Sequence, residues 1–196
     1  MNGSARPARR MGPPGSENWH AMLDGAEAIL REEGHGALTS RRVAEQVGVK
    51  QRLIYYYFAT MDDLIVETFH RLAERELARL TAARNAAMPL RALWDICIHT
   101  TDARLVSEFM ALANRIDALR SEVVAFVTAS REIQLAALAE AVTRSGAAIG
   151  APPAALALLA SSLALALTRE AAIGVTLGHA EAAELVEGLL AALERG

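Results

Sequence analysis

Cysteine is almost absent from this sequence, since Cys97 is the only one among 196 residues. A single thiol excludes an intrachain disulfide and any zinc site built from cysteines. Aromatic residues are also scarce, at 5% of the chain, whereas Ala and Leu together account for 67 residues. Because Ala and Leu favour helices and aromatic and β-branched residues favour strands, an all-β fold is excluded and an all-α fold is expected.

Lysine occurs only once, at Lys50, and the formal net charge of the chain is −3. The charge is unevenly distributed, because residues 1–60 carry a net charge of +2 and residues 61–196 carry −5. The chain as a whole is therefore not a general polyanion binder. Any contact with nucleic acid is expected to come from the N-terminal third.

Residues 1–16 contain three Pro, three Gly and the arginines Arg6, Arg9 and Arg10, and no apolar segment follows them. The segment is therefore not a secretory signal and is predicted to be a disordered basic arm. Two interpretations stay open: a solvated tail, or an arm that contacts DNA phosphates or the minor groove.

A long uncharged segment, residues 145–168, raises the question of a membrane span. Prolines, glycines and serines interrupt it, and its apolar part, residues 154–167, is shorter than the ~20 residues that a span needs. We therefore expect a buried interface helix and no membrane contact, and the lack of a disulfide framework suits a cytoplasmic protein.

Apolar periodicity and capping residues predict a series of helices along the whole chain. Ser16 and Thr39 are suitable N-caps, and Gly34 and Gly48 are suitable helix ends. The predicted helices cover about residues 17–33, 39–47, 50–57, 61–85, 90–100, 103–117, 120–145, 154–175 and 180–194.

The segment from residue 39 to residue 64 is the most informative, because two short helices joined by a glycine turn predict a helix-turn-helix unit. In such a unit the second helix enters the major groove, where Gln and Arg side chains read base edges. Backbone amides and arginines at the start of the first helix suit phosphate contacts. The candidate DNA-binding residues are Thr39, Arg41, Arg42, Lys50, Gln51, Arg52, Tyr55, Tyr56 and Tyr57.

All three tyrosines of the chain stand together at Tyr55, Tyr56 and Tyr57. A run of tyrosines on a short helix is more often a packing feature than a binding surface. However, three consecutive helical positions point about 100° apart, so all three rings cannot be buried. At least one phenol is therefore expected to be exposed beside the basic side chains.

The same segment resembles the DNA-binding domain of the tetracycline-repressor (TetR) family. The matching elements are Gly34-His35, Thr39, Val43-Ala44, Val47-Gly48-Val49, Ile54-Tyr55-Tyr56-Tyr57-Phe58 and Asp62-Asp63-Leu64. Two positions depart from the family pattern. Leu53 stands where a small hydroxyl residue usually contacts phosphate, and Met61 stands where a phosphate-binding lysine usually begins the fourth helix.

The resemblance implies a two-domain, all-helical, ligand-responsive repressor that binds a palindromic operator as a homodimer. A small, largely apolar effector would release it from double-stranded DNA. The implied organisation is the arm (residues 1–16), a helix-turn-helix domain (residues 17–62) and a helical-bundle domain for effector binding and dimerisation (residues 63–196). The helix over residues 61–85 would link the two domains.

Two further sets of residues complete the interpretation. The predicted helices between about residues 90 and 134 carry residues whose composition suggests an apolar cavity with a few polar anchors. These effector-binding candidates are Trp94, Cys97, Phe109, Met110, Asn114, Phe126 and Gln134. The predicted helix 154–175 is apolar on nearly every side and needs cover from a partner, and the TetR resemblance implies that the last two helices pair across a twofold axis. The predicted dimer-interface residues are Leu156, Ala160, Leu163, Ala164, Leu167, Ala171, Gly174, Leu185 and Leu189.

Two alternatives come from other functional classes. Asp95 and His99 are spaced i, i+4, as in an orienting pair for a general base, but the sequence has no hydrolase, phosphate-loop or metalloprotease motif. We therefore expect no enzymatic activity, no metal and no cofactor. The second alternative is a helical small-molecule-binding protein that has lost sequence-specific DNA binding, for which Leu53 and Met61 are the support.

Overall fold

A computed structural model of the chain describes residues 12–100, 102–146 and 150–194. Within these ranges the structure is helical and contains no strand, which confirms the predicted all-α fold. The α-helices are α1 (Glu17–Glu32), α2 (Ser40–Val47), α3 (Gln51–Tyr57), α4 (Met61–Arg84), α5 (Pro89–Asp95), α6 (Ala103–Ala113), α7 (Asp117–Ser145), α8 (Pro153–Ala172) and α9 (His179–Glu194).

Local capping sets the boundaries of the first four helices. The hydroxyl of Ser16 accepts a hydrogen bond from the Trp19 amide, and Thr39 caps α2 in the same way. Gly48 ends α2 with a φ of 72°, a left-handed conformation that side chains with a Cβ rarely adopt. Thr60 and Asp63 form a reciprocal capping box at the start of α4.

The N-terminal core forms where α1, α2, α3 and the first half of α4 meet. Its fully buried side chains include Leu23, Leu30, Ile54 and Leu64. The same core extends to α6 and the start of α7, since Phe109 and Leu119 belong to it. α1 therefore packs against α6 on one side and against the helix-turn-helix unit on the other.

The remaining helices form a bundle with a second core that contains Leu80, Trp94 and Leu190. α4 extends from the first core to the second and packs along the 29-residue helix α7. The predicted helix at residues 90–100 is α-helical only to Asp95 and continues as a π-helical turn, Ile96–Thr100. The next helix ends at Ala113 instead of residue 117, and α7 begins three residues earlier than predicted.

α8 and α9 expose much of their apolar surface. Leu158, Leu159 and Leu185 are 56%, 64% and 64% exposed. Among the described helices, only α8 is long and apolar enough to cross a membrane by length and composition, and 11% of its most apolar window is buried inside the protomer. The expected burial of this helix is thus not achieved within one protomer.

The last residues of the predicted arm have a defined position. The Gly12 amide donates to the Tyr56 carbonyl oxygen at 2.8 Å, and Gly12 is buried against α3. A Cβ at Gly12 would lie 2.5 Å from Cε1 of Tyr57, so only glycine fits there. Residues 12–16 therefore lead into α1 through a turn that is anchored at Gly12 and otherwise largely exposed, and the arginines of the arm lie outside the described residues.

Candidate DNA-binding surface and internal cavities

Ser40 holds the two helices of the helix-turn-helix unit together. Its hydroxyl oxygen accepts from Nε2 of Gln51 at 2.8 Å and from the Tyr55 hydroxyl at 3.0 Å. Ser40 is buried, whereas Gln51 lies at the exposed start of α3. Sequence reasoning missed Ser40, because a serine after an N-cap carries no periodic signal. The structure therefore places two of the predicted DNA-binding side chains, Gln51 and Tyr55, on one shared acceptor.

The predicted phosphate-binding arginines of α2 are both in ion pairs. Arg42 donates from Nη2 to Glu33 at 2.6 Å, and this hydrogen bond raises the pKa of Arg42 and lowers that of Glu33. Arg41 pairs with Glu45 at 2.9 Å and stays 81% exposed. A phosphate would thus have to replace a surface carboxylate at either arginine, an exchange that costs little at exposed positions.

Lys50 and Arg52 at the start of α3 are both exposed. Neither makes an ion pair within the described part of the chain. Thr39, in contrast, uses its hydroxyl to cap α2 by accepting from the Arg42 amide at 3.1 Å. The basic side chains predicted at the start of α3 are therefore exposed to solvent.

The three tyrosines have three different environments. Tyr55 is half-buried on Ser40, and Tyr56 is 42% exposed, so the expectation that at least one phenol is exposed is met. Tyr57 is 8% exposed and lies in the N-terminal core under Gly12. Tyr57 therefore does not belong to the exposed surface on which the sequence predicted it as a DNA-binding residue, because helical geometry turns this position towards the core.

Leu53 and Met61, the two departures from the TetR pattern, pack against the N-terminal core as partly buried side chains. Neither carries a polar group that a phosphate could use. Electrostatic attraction at this surface thus depends on Lys50, Arg52 and the two arginines of α2.

A cavity of about 430 Å³ lies between α1, α4, α6, α7 and α8, and we call it the central cavity. Its walls are mostly apolar and include Phe69, Leu80 and Val123. Five of the predicted effector-binding residues line it, namely Cys97, Phe109, Met110, Phe126 and Gln134.

One edge of the central cavity is charged, and we call it the charged rim. It consists of Glu27, Arg31, Arg75, Glu76, Arg79 and Asp102. Burial opposes ionisation of Glu27, but hydrogen bonds from Arg31 and Arg75 outweigh it and hold the pKa of this carboxyl below its usual value. Burial raises the pKa of Glu76. Sequence reasoning missed the rim, although the i, i+4 spacing of Arg75 and Arg79 is a visible signal.

A second cavity of about 400 Å³, the bundle cavity, lies between α5, α7, α8 and α9. Its lining is almost entirely apolar, and Trp94 forms part of it. Cys97, Gln134 and Ser161 line both cavities, and the Ser161 hydroxyl donates to Oε1 of Gln134 at 3.0 Å. The predicted effector-binding residues thus divide between two neighbouring cavities.

Asn114 and Cys97 differ from the other predicted effector-binding residues. Asn114 is exposed after the end of α6 and lines neither cavity, which contradicts its predicted place in the effector site. Cys97 is largely buried, and this burial, together with the Glu76 carboxylate, raises the pKa of its thiol to about 11. The thiol is therefore protonated at neutral pH, as a structural cysteine is. No group of three potential metal ligands occurs among the described residues.

Two residue pairs connect α6 to α1 and the turn that follows it, Arg31 with Asp102 and His35 with Glu108. Arg31 of α1 donates from Nε to Oδ2 of Asp102 at 2.7 Å, and Asp102 is the N-cap of α6. The backbone amide of His35 donates to Glu108 of α6 at 2.8 Å. Because α6 also lines the central cavity, these contacts join the cavity wall to the DNA-binding domain.

The predicted interface residues lie on α8 and α9, apart from Gly174, which follows the end of α8. All of them except Ala164 are exposed or partly buried. Leu185 and Leu189 are 64% and 41% exposed, and Ala160, Ala171 and Gly174 are exposed as well. Leu156, Leu163 and Leu167 are partly buried against the second core. Ala164 is the exception, because it is 1% exposed inside its own protomer, where it faces the central cavity.

Comparison with known proteins supports the resemblance drawn from residues 34–64. The family model described as bacterial regulatory proteins, tetR family, matches residues 22–68. No curated protein matches the chain in sequence.

Solved structures share the fold over most of the chain. A TetR transcription regulator from Haloarcula marismortui superposes with a TM-score of 0.72 at 18% identity, covering 89% of this chain and 96% of the other. A transcriptional regulator from Rhodococcus sp. Rha1 gives 0.66 at 21% identity, covering 90% and 91%. The reduced form of E. coli NemR gives 0.69 at 15% identity, covering 81% and 89%.

Proposed function

Since residues 22–68 form the N-terminal domain of the tetR family, on a fold that TetR regulators share, we propose that this chain is a ligand-responsive DNA-binding repressor. It binds a palindromic operator as a homodimer in the cytoplasm, and a small, largely apolar effector releases it. The observation that carries the proposal is the exposed basic start of α3, at Lys50 and Arg52, within a TetR-type helix-turn-helix unit.

The exposed apolar side of α8 and α9 supports the homodimer. A monomer rarely leaves a continuous apolar patch of this kind in water. A twofold axis beside these helices would pack two pairs of helices into a four-helix arrangement. It would also place two α3 helices on one face of the dimer, as a palindromic operator requires.

The central cavity supports effector binding, because its volume lies within the range of about 300–1,000 Å³ that is usual for small-molecule sites. Its α6 wall is tied to the DNA-binding domain through Arg31 and Asp102. An effector that fits better when α6 has moved would therefore weaken DNA binding, by the difference in its affinity for the two states.

Selection of bound duplexes from a random-sequence DNA pool at physiological salt tests the proposal. We expect enrichment of a palindrome, loss of the enrichment in Arg52→Ala, and retention in Arg115→Ala, an exposed arginine far from α3 in sequence. If the native chain selects nothing but Leu53→Thr with Met61→Lys does, the native chain is a ligand-binding protein that has lost DNA recognition. If neither protein selects a duplex, the DNA-binding proposal is wrong.

A further inference from the structure

Within the described structure, five of the six carboxylate oxygens of the charged rim accept at least one hydrogen bond. Both oxygens of Glu27 accept from Arg75 at 2.9 Å, and Oε1 also accepts from Arg31 at 2.7 Å. Oδ2 of Asp102 accepts from Arg31, and Oδ1 accepts from the Leu105 amide at 2.9 Å. Glu76 accepts from Arg79 through Oε2 at 2.9 Å and keeps one oxygen, Oε1, without a donor in the described structure.

The arginines of the rim, in contrast, keep many free donors. A guanidinium has five N–H groups. Arg75 uses only Nη2, and Arg79 uses only Nη1. Within the described residues, no acceptor reaches Nε or Nη1 of Arg75, or Nε or Nη2 of Arg79. Both side chains are accessible, at 52% and 42% exposure.

Arg75 and Arg79 also stand in a geometry that suits one shared ligand. They are four residues apart on α4, so their Cβ atoms are neighbours on one helix face, roughly 5–6 Å apart. Arg75 has no carboxylate of its own, because Glu27 also pairs with Arg31 and lies 3.5 Å from Nη2 of Arg71. The rim thus presents more guanidinium donors without a protein acceptor than carboxylate oxygens without a donor, and a planar carboxylate matches such donors in a two-bond fork.

The interior behind these arginines suits an apolar body. Phe69, Phe109 and Phe126 line it. The ring of Phe69 makes edge-to-face contacts with Phe109 and Phe126, at centroid distances of 5.1 and 5.9 Å, respectively. From this combination we infer that the effector is a carboxylate-bearing amphiphile, held by Arg75 and Arg79 at the rim with its apolar part in the central cavity. This inference rests on the proposed effector-binding role of that cavity.

Three probes with the same ten-carbon chain test the inference by calorimetric titration of the full-length protein without DNA: decanoate, decan-1-ol and decylammonium. We expect decanoate to bind about 10- to 100-fold more tightly than decanol, because charge-assisted hydrogen bonds to two guanidiniums are strong. Decylammonium should bind more weakly than decanol.

Variants locate the preference on α4. Arg75→Gln with Arg79→Gln should reduce decanoate affinity to that of decanol, and Arg79→Gln alone should reduce it in part. The single variant serves if the double variant loses its fold, because Glu76 is the one ion-pair partner of Arg79 among the described residues. Arg84→Gln is the matched control, since Arg84 lies on the same helix but pairs with Glu140 at 2.6 Å and lines neither cavity. It should leave decanoate binding unchanged.

Other results would overturn the inference. Equal affinity for decanoate and decanol would show that charge is not read, and tighter binding of decylammonium would assign recognition to the free oxygen of Glu76. Failure of all three probes to bind would also contradict it. If decanoate binds through the two arginines but does not release the selected duplex, the ligand class stands and its proposed regulatory role is wrong.

Discussion

Arg31 and Asp102 form an ion pair, with a distance of 2.7 Å from Nε to Oδ2, that joins α1 of the DNA-binding domain to the first turn of α6. Both residues also line the central cavity. The contact therefore links the wall of the proposed effector site to the helix that supports the helix-turn-helix unit. It is partly exposed, at 45% for Arg31 and 31% for Asp102, so its free energy is modest.

The variant Asp102→Asn tests this link. Asn still caps α6, but the charge that holds Arg31 is lost. If the pair favours the DNA-binding arrangement, we expect operator affinity to fall by about two- to fivefold, the equivalent of about 0.4–1 kcal/mol. The same loss favours the competing arrangement, so effector affinity should rise. Fluorescence anisotropy with the selected duplex measures operator affinity, and calorimetry measures effector affinity. Unchanged operator affinity would show that this ion pair has no role in coupling the cavity to DNA binding.

Ser40→Ala tests the polar contact between α2 and α3. The variant leaves Nε2 of Gln51 and the Tyr55 hydroxyl without their acceptor, and we expect the free energy of unfolding to fall by about 1–2 kcal/mol. If Gln51 reads a base as proposed, the base preference at that operator position should also relax. Urea denaturation and repeated duplex selection measure the two effects. Ser121→Ala is the control, because the Ser121 hydroxyl contacts only the Asp117 carbonyl of its own helix, at 3.2 Å. Equal stability of the two variants would contradict the prediction.

Leu185→Glu tests the proposed dimer interface. A carboxylate in an apolar interface loses its hydration without gaining a partner, so we expect the dimer to dissociate and operator affinity to fall with it. Light scattering after size exclusion gives the mass of the particle. Val124→Glu introduces the same charge at a position on α7 that is 60% exposed, and it should stay dimeric. A Leu185→Glu protein that remains a dimer would place the interface elsewhere.

Cys97 provides a pH-dependent test of the cavity wall, because its pKa is raised from 9.0 to about 11. Only the thiolate reacts with iodoacetamide, so labelling of the folded protein should rise about tenfold per pH unit towards pH 11 instead of levelling off near 9. The raised pKa of Cys97 also makes the free energy of unfolding depend on pH. Above pH 9 the unfolded chain releases this proton more readily than the folded one, so this thiol destabilises the fold progressively between pH 9 and 11. Levelling of the labelling rate near pH 9 in the folded protein would contradict the burial of Cys97.

Local features determined what the sequence alone predicted about this protein. Helix boundaries depend on residues within one or two turns, so they can be predicted from the local sequence. Examples are the N-caps at Ser16 and Thr39 and the helix end at Gly48. The TetR resemblance belongs to the same class, because a helix-turn-helix unit is a short continuous segment. The family model confirms it over residues 22–68.

Tertiary structure decided which side chains meet. Tyr57 and Ala164 are buried by elements distant in sequence, and Asn114 is carried away from both cavities where α6 ends, so their predicted roles were wrong. The partners Ser40 with Gln51 and Arg31 with Asp102 are 11 and 71 residues apart. Such contacts depend on how helices are packed against one another, and helical periodicity identifies a buried face without naming what covers it.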